Sequence, residues 1–273
     1  MKKAPSVSVL ITAFNRLDFL PRTLDSVYAQ TFADFDVAVF DDGSTDGTRE
    51  WIAARHFPRL RCARSERNLG PAAARNAALA GASGEFAAFL DSDDLWDPDY
   101  LRTMIAALKS GTAAVACCDV AAIDARDRVT TPDFLRLTRD AVVRPLLGLP
   151  FIPIPSAAVV RRSAQAGTRW FDENFHRLHD DKDFFCRLAR RRGRAAFHFI
   201  RRSLVFYRRH GVQVSAGEPA AHDEAQRKAA LDEAYFHSKH RDWLRAEARR
   251  RNWNGDPADA RTAYERARSR KMK

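Results

Sequence analysis

Two short apolar segments of this chain each run directly into a cluster of aspartates, and this pattern narrows the choice of fold more than any other feature. The apolar segments are residues 35–40 and 86–90, and the clusters are Asp41-Asp42 and Asp91-Ser92-Asp93-Asp94. A buried strand that ends in carboxylates delivers them to the carboxyl edge of a sheet, where open α/β folds bind ligands. Asp-x-Asp presents two oxygen ligands to a hard divalent cation, and such a cation bridges phosphates. The pattern predicts a metal-dependent enzyme that acts on a nucleotide-diphosphate compound.

The first half of the chain alternates predicted strands with predicted helices. Residues 7–13 form a nearly continuous apolar run rich in β-branched side chains, which is typical of a strand buried on both faces. Further strands are predicted at 35–40, 60–63, 86–90 and 113–118, and helices at 17–30, 48–57, 71–82 and 98–109. Strands separated by single helices indicate a parallel sheet with right-handed crossovers.

Beyond residue 120 the alternation becomes less regular. A proline-rich stretch at 145–155 has the composition of a loop, and from about residue 220 the chain is charged, alanine-rich and helical in pattern. Between them, strands are predicted at 156–160, 196–199 and 204–207, and a helix at 181–192. The chain therefore divides into residues 1–120, residues 121–218 and a basic helical extension at 219–273.

The cysteines and the apolar segments bear on the cellular compartment. The four cysteines form no C-x-x-C pair, which disfavours a structural zinc site or a disulfide framework and agrees with a reducing cytosol. The basic N-terminus is followed by a segment that is too short and too polar for a signal peptide. The longest apolar stretch, residues 145–160, is interrupted by prolines and cannot form a continuous spanning helix. We therefore expect a cytoplasmic protein, at most peripheral to the inner face of the membrane.

The formal net charge of +11 suggests an anionic partner. Residues 187–209 contain nine arginines and no acidic residue, and more basic residues crowd 249–251 and 266–273. One hypothesis is contact with anionic lipid headgroups, where a lipid-linked acceptor would lie; the alternative is an ordinary solvated face. A nucleic-acid-binding protein is a further hypothesis. It does not explain acidic clusters at strand ends, and no known nucleic-acid-binding module is visible, so we expect no nucleic acid.

Four further motifs each have a functional and a structural interpretation. The turn Thr12-Ala13-Phe14-Asn15-Arg16 either binds a base and phosphates or merely joins a strand to a helix. The segment 68–76 places Gly70 and Arg75 at a helix N-terminus, a natural anion site, or forms a small-residue helix packed on the sheet. The pair Asp180-Asp181 supplies a general base or favourable charges in a first helical turn. His210 is a metal ligand, a phosphate contact or a surface residue.

In order and spacing, these motifs resemble those of the family 2 glycosyltransferases with the GT-A fold, over roughly residues 5–215. The matching segments are Thr12-Ala13-Phe14-Asn15-Arg16, Asp41-Asp42-Gly43-Ser44-Thr45-Asp46, Asn68-Leu69-Gly70 with Ala74-Arg75-Asn76, Leu90-Asp91-Ser92-Asp93-Asp94, Pro153-Ile154-Pro155-Ser156 with Val160-Arg161-Arg162, Asp180-Asp181 and Tyr207-Arg208-Arg209-His210. The resemblance implies an α/β fold with a Rossmann-like, mostly parallel central sheet flanked by helices. Residues 1–120 would form its nucleotide-sugar-binding half and residues 121–218 its acceptor-binding half.

The resemblance also implies roles for individual residues. Thr12, Arg16 and Asp41 would hold the nucleotide base, with Arg75 nearby and Asp91 toward the ribose. Asp93 would bind Mg²⁺ or Mn²⁺ on the diphosphate, His210 would complete that site, and Asp181 would be the catalytic base. The full set expected to contact the nucleotide-sugar is Thr12, Ala13, Asn15, Arg16, Asp41, Asp42, Asn68, Gly70, Arg75, Asp91, Ser92 and Asp180.

Two positions depart from the family pattern. The family commonly has Glu-Asp where this chain has Asp180-Asp181, and Tyr where this chain has Phe14. The implied reaction is an inverting transfer of a sugar from a nucleotide-diphosphate donor, with UDP as the first candidate, to a saccharide or lipid-linked acceptor in cell-surface polysaccharide or glycolipid synthesis. A nucleotidyltransferase is the alternative, although the glycine-rich phosphate loop of such enzymes is missing near the first strand.

Overall fold

The computed structural model describes residues 4–135, 154–211, 227, 228, 230–240 and 242. Within these residues, nine strands form one mixed sheet with the order β3-β2-β1-β4-β8-β6-β9-β5, and β7 pairs with β6 beside this path. The strands are β1 (Val7–Ala13), β2 (Phe35–Asp41), β3 (Leu60–Arg64), β4 (Phe86–Asp91), β5 (Leu95–Trp96), β6 (Val115–Ile123), β7 (Val129–Leu135), β8 (Ala158–Arg161) and β9 (Phe197–Arg208). The helices are α1 (Leu20–Tyr28), α2 (Thr48–Ala53), α3 (Pro71–Ala80), α4 (Tyr100–Lys109) and α5 (Asp180–Arg192).

The apolar runs of the first half form the buried parallel strands that their composition predicts. Strand β1 lies between β2 and β4 and pairs in parallel with both. The register places Ala13 opposite Asp41 and Thr12 opposite Asp91, so the three strands end at nearly the same level. Both aspartate clusters therefore reach the same edge of the sheet, and the predicted α/β fold with a parallel first half is confirmed.

The second half of the sheet is mixed in direction. Strand β8 is antiparallel to both β4 and β6, whereas β9 runs parallel to β6. The strands predicted at 196–199 and 204–207 are one continuous strand, β9. Polar residues 201–203 interrupt the apolar pattern, but they remain in the strand because the register of β6 against β9 shifts at this point and leaves their side chains at least partly accessible.

Helices cover both faces of the sheet and form two apolar layers with it. Apolar residues of α1 and α4 pack on one face, and those of α3 and α5 pack on the other. No helix of the described residues is long and apolar enough to cross a membrane. Residues 230–240 are helical, whereas most of the predicted 145–155 loop and the basic tail beyond residue 242 lie outside the described residues.

Several arginines of the basic stretch 187–209 donate to acceptors within the protein. Arg187 contacts the Asp183 carboxylate at 2.7 Å as well as two carbonyls. Arg191 and Arg192 both donate to the carbonyl of Ala164. Both arginines lie in the last turn of α5, where the helix dipole favours positive charge. The Arg208 side chain is fully buried. Part of the basic charge therefore has a structural role, which the sequence pattern alone does not reveal.

Candidate active site

A cleft of about 410 Å³ opens at the sheet edge where β1, β2 and β4 end. It is bounded on one side by the strand ends and the start of α3, and on the other by residues 176–179 and the first turn of α5. Twelve of the predicted site residues line it, namely Thr12, Ala13, Arg16, Asp42, Asn68, Gly70, Arg75, Asp91, Ser92, Asp93, Asp180 and Asp181. The fold thus brings together motifs that are up to 169 positions apart in the sequence.

Asp93 is held by two cationic or potentially cationic side chains. Its Oδ2 accepts a hydrogen bond from Arg16 Nε at 3.1 Å and lies 3.1 Å from His210 Nε2. Burial opposes ionisation of Asp93, but the hydrogen bond with His210 and the charge of Arg16 outweigh it, so the pKa of Asp93 lies below its ordinary value. Asp93 is therefore a carboxylate anion at neutral pH, the form that binds metal ions.

The position of this acidic loop is fixed by a buried network around Asp94. The Asp94 side chain is fully buried and accepts hydrogen bonds from Ser156 Oγ at 2.7 Å and from the Arg208 backbone N–H at 3.1 Å. Ser156 Oγ in turn accepts the Asp91 N–H at 3.0 Å. Arg208 also donates to the Asp93 carbonyl at 2.7 Å. Two segments distant in sequence, those of Ser156 and Arg208, therefore hold the aspartates that face the cleft.

Arg75 joins the two sides of the cleft. Its Nη2 donates to Asp91 Oδ1 at 3.1 Å, at the end of β4, and its Nη1 donates to Asp180 Oδ2 at 2.5 Å, in the first turn of α5. Burial alone would favour the neutral guanidine, but the charges of Asp180 and Asp91 raise the pKa of Arg75 above its ordinary value. Arg75 therefore bridges two carboxylates while lining the cleft, and its place near the nucleotide base stays a prediction.

Asp181 lies next to this ion pair, in the first turn of α5, and lines the cleft. Burial and, second, the negative charge of Asp180 raise the pKa of Asp181 above the ordinary carboxyl value. A carboxylate with a raised pKa accepts protons more readily, which is the property that a general base requires. The charge environment of Asp181 therefore suits the predicted role.

The backbone N–H groups at the N-terminus of α3 bind an anionic side chain of the protein, the Asp42 carboxylate. Both oxygens of the buried Asp42 carboxylate accept backbone hydrogen bonds, from Leu69 N at 2.8 Å and Gly70 N at 3.0 Å. Gly70 has φ of +93°, and a Cβ there would lie 3.1 Å from the His176 carbonyl oxygen. These two N–H groups therefore bind Asp42 rather than a ligand, and glycine allows the far wall of the cleft to approach α3.

Three predicted site residues are not among the described residues that line the cleft. Asn15 binds the loop after β2, because its Oδ1 accepts the Thr45 N–H at 2.8 Å. The Asp41 carboxylate accepts the Ser44 N–H at 3.0 Å in the same loop. His210 reaches the site through Asp93. Asn15 and Asp41 thus shape the loop behind the cleft, whereas His210 lies behind Asp93.

The structure adds ten cleft residues that the sequence analysis did not name as site residues, although six of them lie within the motif segments identified there. They are Phe14, Pro71, Ala74, Ile154, Pro155, His176, Arg177, Leu178, His179 and Tyr207. The segment 176–179 directly precedes the Asp180-Asp181 pair, and this adjacency was a signal that could have pointed to it.

The residues around Asp93 fit a cation that is bound partly by the protein and partly by a substrate. Among the described residues, no three His, Cys, Asp or Glu side chains are arranged to hold a metal ion by themselves. Asp93 offers an anionic oxygen group, the kind of donor that Mg²⁺ and Mn²⁺ prefer, and His210 beside it adds an imidazole nitrogen. Mg²⁺ is commonly bound by one or two protein groups together with substrate phosphates and water. The donor set therefore agrees with a substrate-bridged cation.

Comparison with known proteins identifies the family. The succinoglycan biosynthesis protein ExoO of Rhizobium meliloti (strain 1021) is 40% identical over 126 residues, which cover 45% of this chain and 36% of that protein. WfgD of Escherichia coli, a UDP-Glc:alpha-D-GlcNAc-diphosphoundecaprenol beta-1,3-glucosyltransferase, is 38% identical over 99 residues, which cover 36% of this chain and 39% of that protein. The chain thus matches less than half the length of either relative.

A crystal structure of S. aureus TarS in complex with UDP has the same fold. It superposes with a TM-score of 0.60 at 22% identity, over 76% of this chain and 61% of that chain. The family model described as "Glycosyl transferase family 2" matches residues 8–166, which is more than half of the present chain and includes all but the first residue of β1, β2 to β4 and both aspartate clusters. The chain belongs to glycosyl transferase family 2.

Proposed function

We propose that this chain is an inverting, metal-dependent glycosyltransferase of the hexosyltransferase type that transfers a sugar from a nucleotide-diphosphate donor to an acceptor hydroxyl. The observation that carries the proposal is that Asp91 and Asp93, from the end of β4, and Asp181, from the start of α5, line one cleft. A cation-binding acid and a candidate base are thereby available to a single substrate complex. The relatives named above suggest a place in cell-surface polysaccharide or glycolipid synthesis.

The donor would occupy the side of the cleft formed by the ends of β1 and β4. Thr12, Arg16 and Asp91 supply a hydroxyl, a guanidinium and a carboxylate there, and such groups can bind a base, a diphosphate and a ribose. UDP is the first candidate nucleotide, because WfgD is named as a UDP-Glc enzyme and TarS was crystallised with UDP and with UDP-GlcNAc. Asp93 and His210 would hold Mg²⁺ or Mn²⁺. A bound cation would neutralise the charge that develops on the leaving diphosphate.

The protein residues would carry out the remaining chemistry. Asp181 would accept the proton of the acceptor hydroxyl while the hydroxyl oxygen attacks the anomeric carbon from the face opposite the diphosphate. The bond between the anomeric carbon and the diphosphate oxygen breaks in the same displacement, so the anomeric configuration inverts. Arg75 would keep Asp180 paired, so that the charge next to the base is partly neutralised. The alternative of a nucleotidyltransferase has no comparable support, because the family match is to glycosyltransferases.

A nucleotide panel tests the donor assignment. We expect the melting temperature to rise with UDP in the presence of Mn²⁺, and to rise much less with UDP and EDTA or with GDP, CDP or dTDP. A ligand at a hundredfold excess over its Kd stabilises the folded state by about 2.7 kcal/mol, which thermal-shift measurements detect easily. A shift with another nucleotide would change the donor base. The absence of a shift with all four would contradict the proposed nucleotide site.

A lipid-linked acceptor would bring the enzyme to the inner face of the membrane. The basic charge supports such a contact, although several arginines between 187 and 209 are hydrogen-bonded within the protein. We expect the chain to sediment with vesicles that contain anionic lipid and much less with neutral vesicles, and we expect salt to weaken the binding. Equal sedimentation with both kinds of vesicle would exclude an electrostatic membrane contact.

A further inference from the structure

We infer that Asp232, in the helical segment 230–240, is a positioning residue that holds the acceptor-side wall of the cleft in place for Asp181. The inference rests on the proposed function, because it assumes that Asp181 is the base. Residues 230–240 lie outside the region that the family model matches. The structure therefore assigns part of the active-site geometry to a segment that the family motifs do not include.

Asp232 binds three consecutive backbone N–H groups. Its Oδ1 accepts from His176 N at 2.9 Å, and its Oδ2 accepts from Arg177 N at 2.7 Å and from Leu178 N at 2.8 Å. Only 1% of its surface is accessible. Residues 176–178 are not in a helix or strand, so these N–H groups need a partner from outside regular secondary structure. One buried carboxylate supplies it for all three, through charge-assisted bonds.

The segment that Asp232 holds is the wall of the cleft opposite α3. His176, Arg177 and Leu178 all line the cleft. The backbone of the same segment also approaches the N-terminus of α3, since the His176 carbonyl oxygen lies 3.1 Å from where a Cβ of Gly70 would be. The wall is therefore fixed between Gly70 and Asp232. Its position decides how much space separates the donor side from the acceptor side.

The same segment leads directly into the catalytic turn. His179 follows it with φ of +69°, and α5 begins at Asp180. A backbone in the left-handed region is uncommon for a residue with a Cβ and persists where the surroundings hold it. His179 Nε2 lies 2.6 Å from Glu233 Oε2, next to Asp232 in the chain. Residues 232 and 233 thus hold four consecutive residues before the Asp180-Asp181 pair.

The helical segment is itself fastened to α5. Asp183, which is fully buried, lies 2.9 Å from His240 Nε2 and 2.9 Å from Lys239 Nζ. The segment is therefore tied to the first turn of α5 at one end and to the preceding loop at the other. Because the segment that contains Asp232 is held at both ends, we expect a change in its contacts to be transmitted to Asp181.

Asp232→Asn tests this inference, because the amide turns one acceptor oxygen into a donor that faces backbone N–H groups. We expect amide exchange at 176–178 to accelerate at least about tenfold, since bonds to a charged acceptor are lost. Turnover, measured as UDP release from UDP-glucose with Mn²⁺ and with water as acceptor, should fall about 100-fold, since a displacement of about 1 Å has that effect. The UDP-dependent thermal shift should be unchanged.

Asp242→Asn is the matched control, because it makes the same chemical change at an exposed residue of the same part of the chain, and it should behave as wild type. Asp232→Glu keeps the charge but lengthens the side chain, and we expect it to lower turnover as well. Unchanged exchange or unchanged turnover in Asp232→Asn would overturn the inference. If Asp232→Asn and Asp232→Glu both lost the UDP-dependent thermal shift to the same extent as turnover, the inference would also be overturned, because the role of Asp232 would then be general stability. Failure of the proposed function is distinguishable, because the wild-type protein itself would then release no UDP, and a wrong base assignment would leave Asp181→Asn with wild-type turnover whatever Asp232 does.

Discussion

Asp181→Asn should lower kcat by about 10²–10⁴-fold, which is the usual contribution of a general base. The affinity for UDP should stay within about twofold of wild type, because no bond to the nucleotide is assigned to this residue. The amide keeps the shape of the side chain but cannot accept the proton of the attacking hydroxyl. UDP release from UDP-glucose with Mn²⁺ measures kcat, and the UDP-dependent thermal shift measures binding. Asp25→Asn, at an exposed position of α1, is the control and should match wild type.

The pH profile provides an independent check of the same assignment. Burial, followed by the charge of Asp180, raises the pKa of Asp181, and a base works only when it is deprotonated. Wild-type kcat should therefore fall as the pH decreases through this raised pKa, and the acid limb should lie above the ordinary carboxyl range. The residual activity of Asp181→Asn should lack this limb. Near-normal transfer by Asp181→Asn, or an unchanged acid limb, would show that another residue is the base.

Asp93→Asn should abolish the part of UDP binding that depends on Mn²⁺. The substitution removes the negative charge that Arg16 and His210 share, and a neutral amide is a poor ligand for a hard cation. Loss of the cation removes several kcal/mol of transition-state stabilisation, so turnover should fall by at least about 10³-fold. The measurement is the UDP thermal shift with Mn²⁺ and with EDTA, with Asp25→Asn again as control.

The two thermal shifts separate a metal role of Asp93 from an indirect one. Loss of the Mn²⁺-dependent difference alone indicates that Asp93 holds the cation. A variant in which UDP binding responds to Mn²⁺ as strongly as in wild type would contradict the metal assignment. Loss of UDP binding equally with and without Mn²⁺ would instead indicate that Asp93 acts by orienting Arg16.

The parts of the site that end buried strands were predictable from the sequence. Strand β4 is an uninterrupted apolar run, and in a parallel sheet its C-terminal end must lie beside that of β1, so Asp91 and Asp93 had to reach the same edge. The start of α5 was predicted within one residue, because acidic residues precede an apolar helical pattern there. Local pattern and sheet geometry suffice for features of this kind.

The supports of the site were not predictable, because they depend on contacts between distant segments. Asp94 was predicted only as part of an acidic cluster, yet it accepts hydrogen bonds from Ser156 and the Arg208 backbone, 62 and 114 positions away, and is fully buried. The basic stretch 187–209 was interpreted as a lipid-contacting or solvated face, yet Arg187 and Arg191, within α5, donate to the carbonyls of Arg169 and Ala164. Asp232 has no local signature, since its partners are backbone N–H groups, which every residue but proline possesses.

The Arg75 bridge limits how enzymes of this type can be recombined. A chimera that takes residues up to about 120 from one family member and the remainder from another would separate Arg75 from Asp180, although each half retained its own motifs. If the incoming half lacked an acid at this position, the guanidinium would lose one of its two carboxylates in a buried site, which is costly. Segments are therefore best exchanged between family members by grafts that transfer Arg75 together with its partner, or that preserve both.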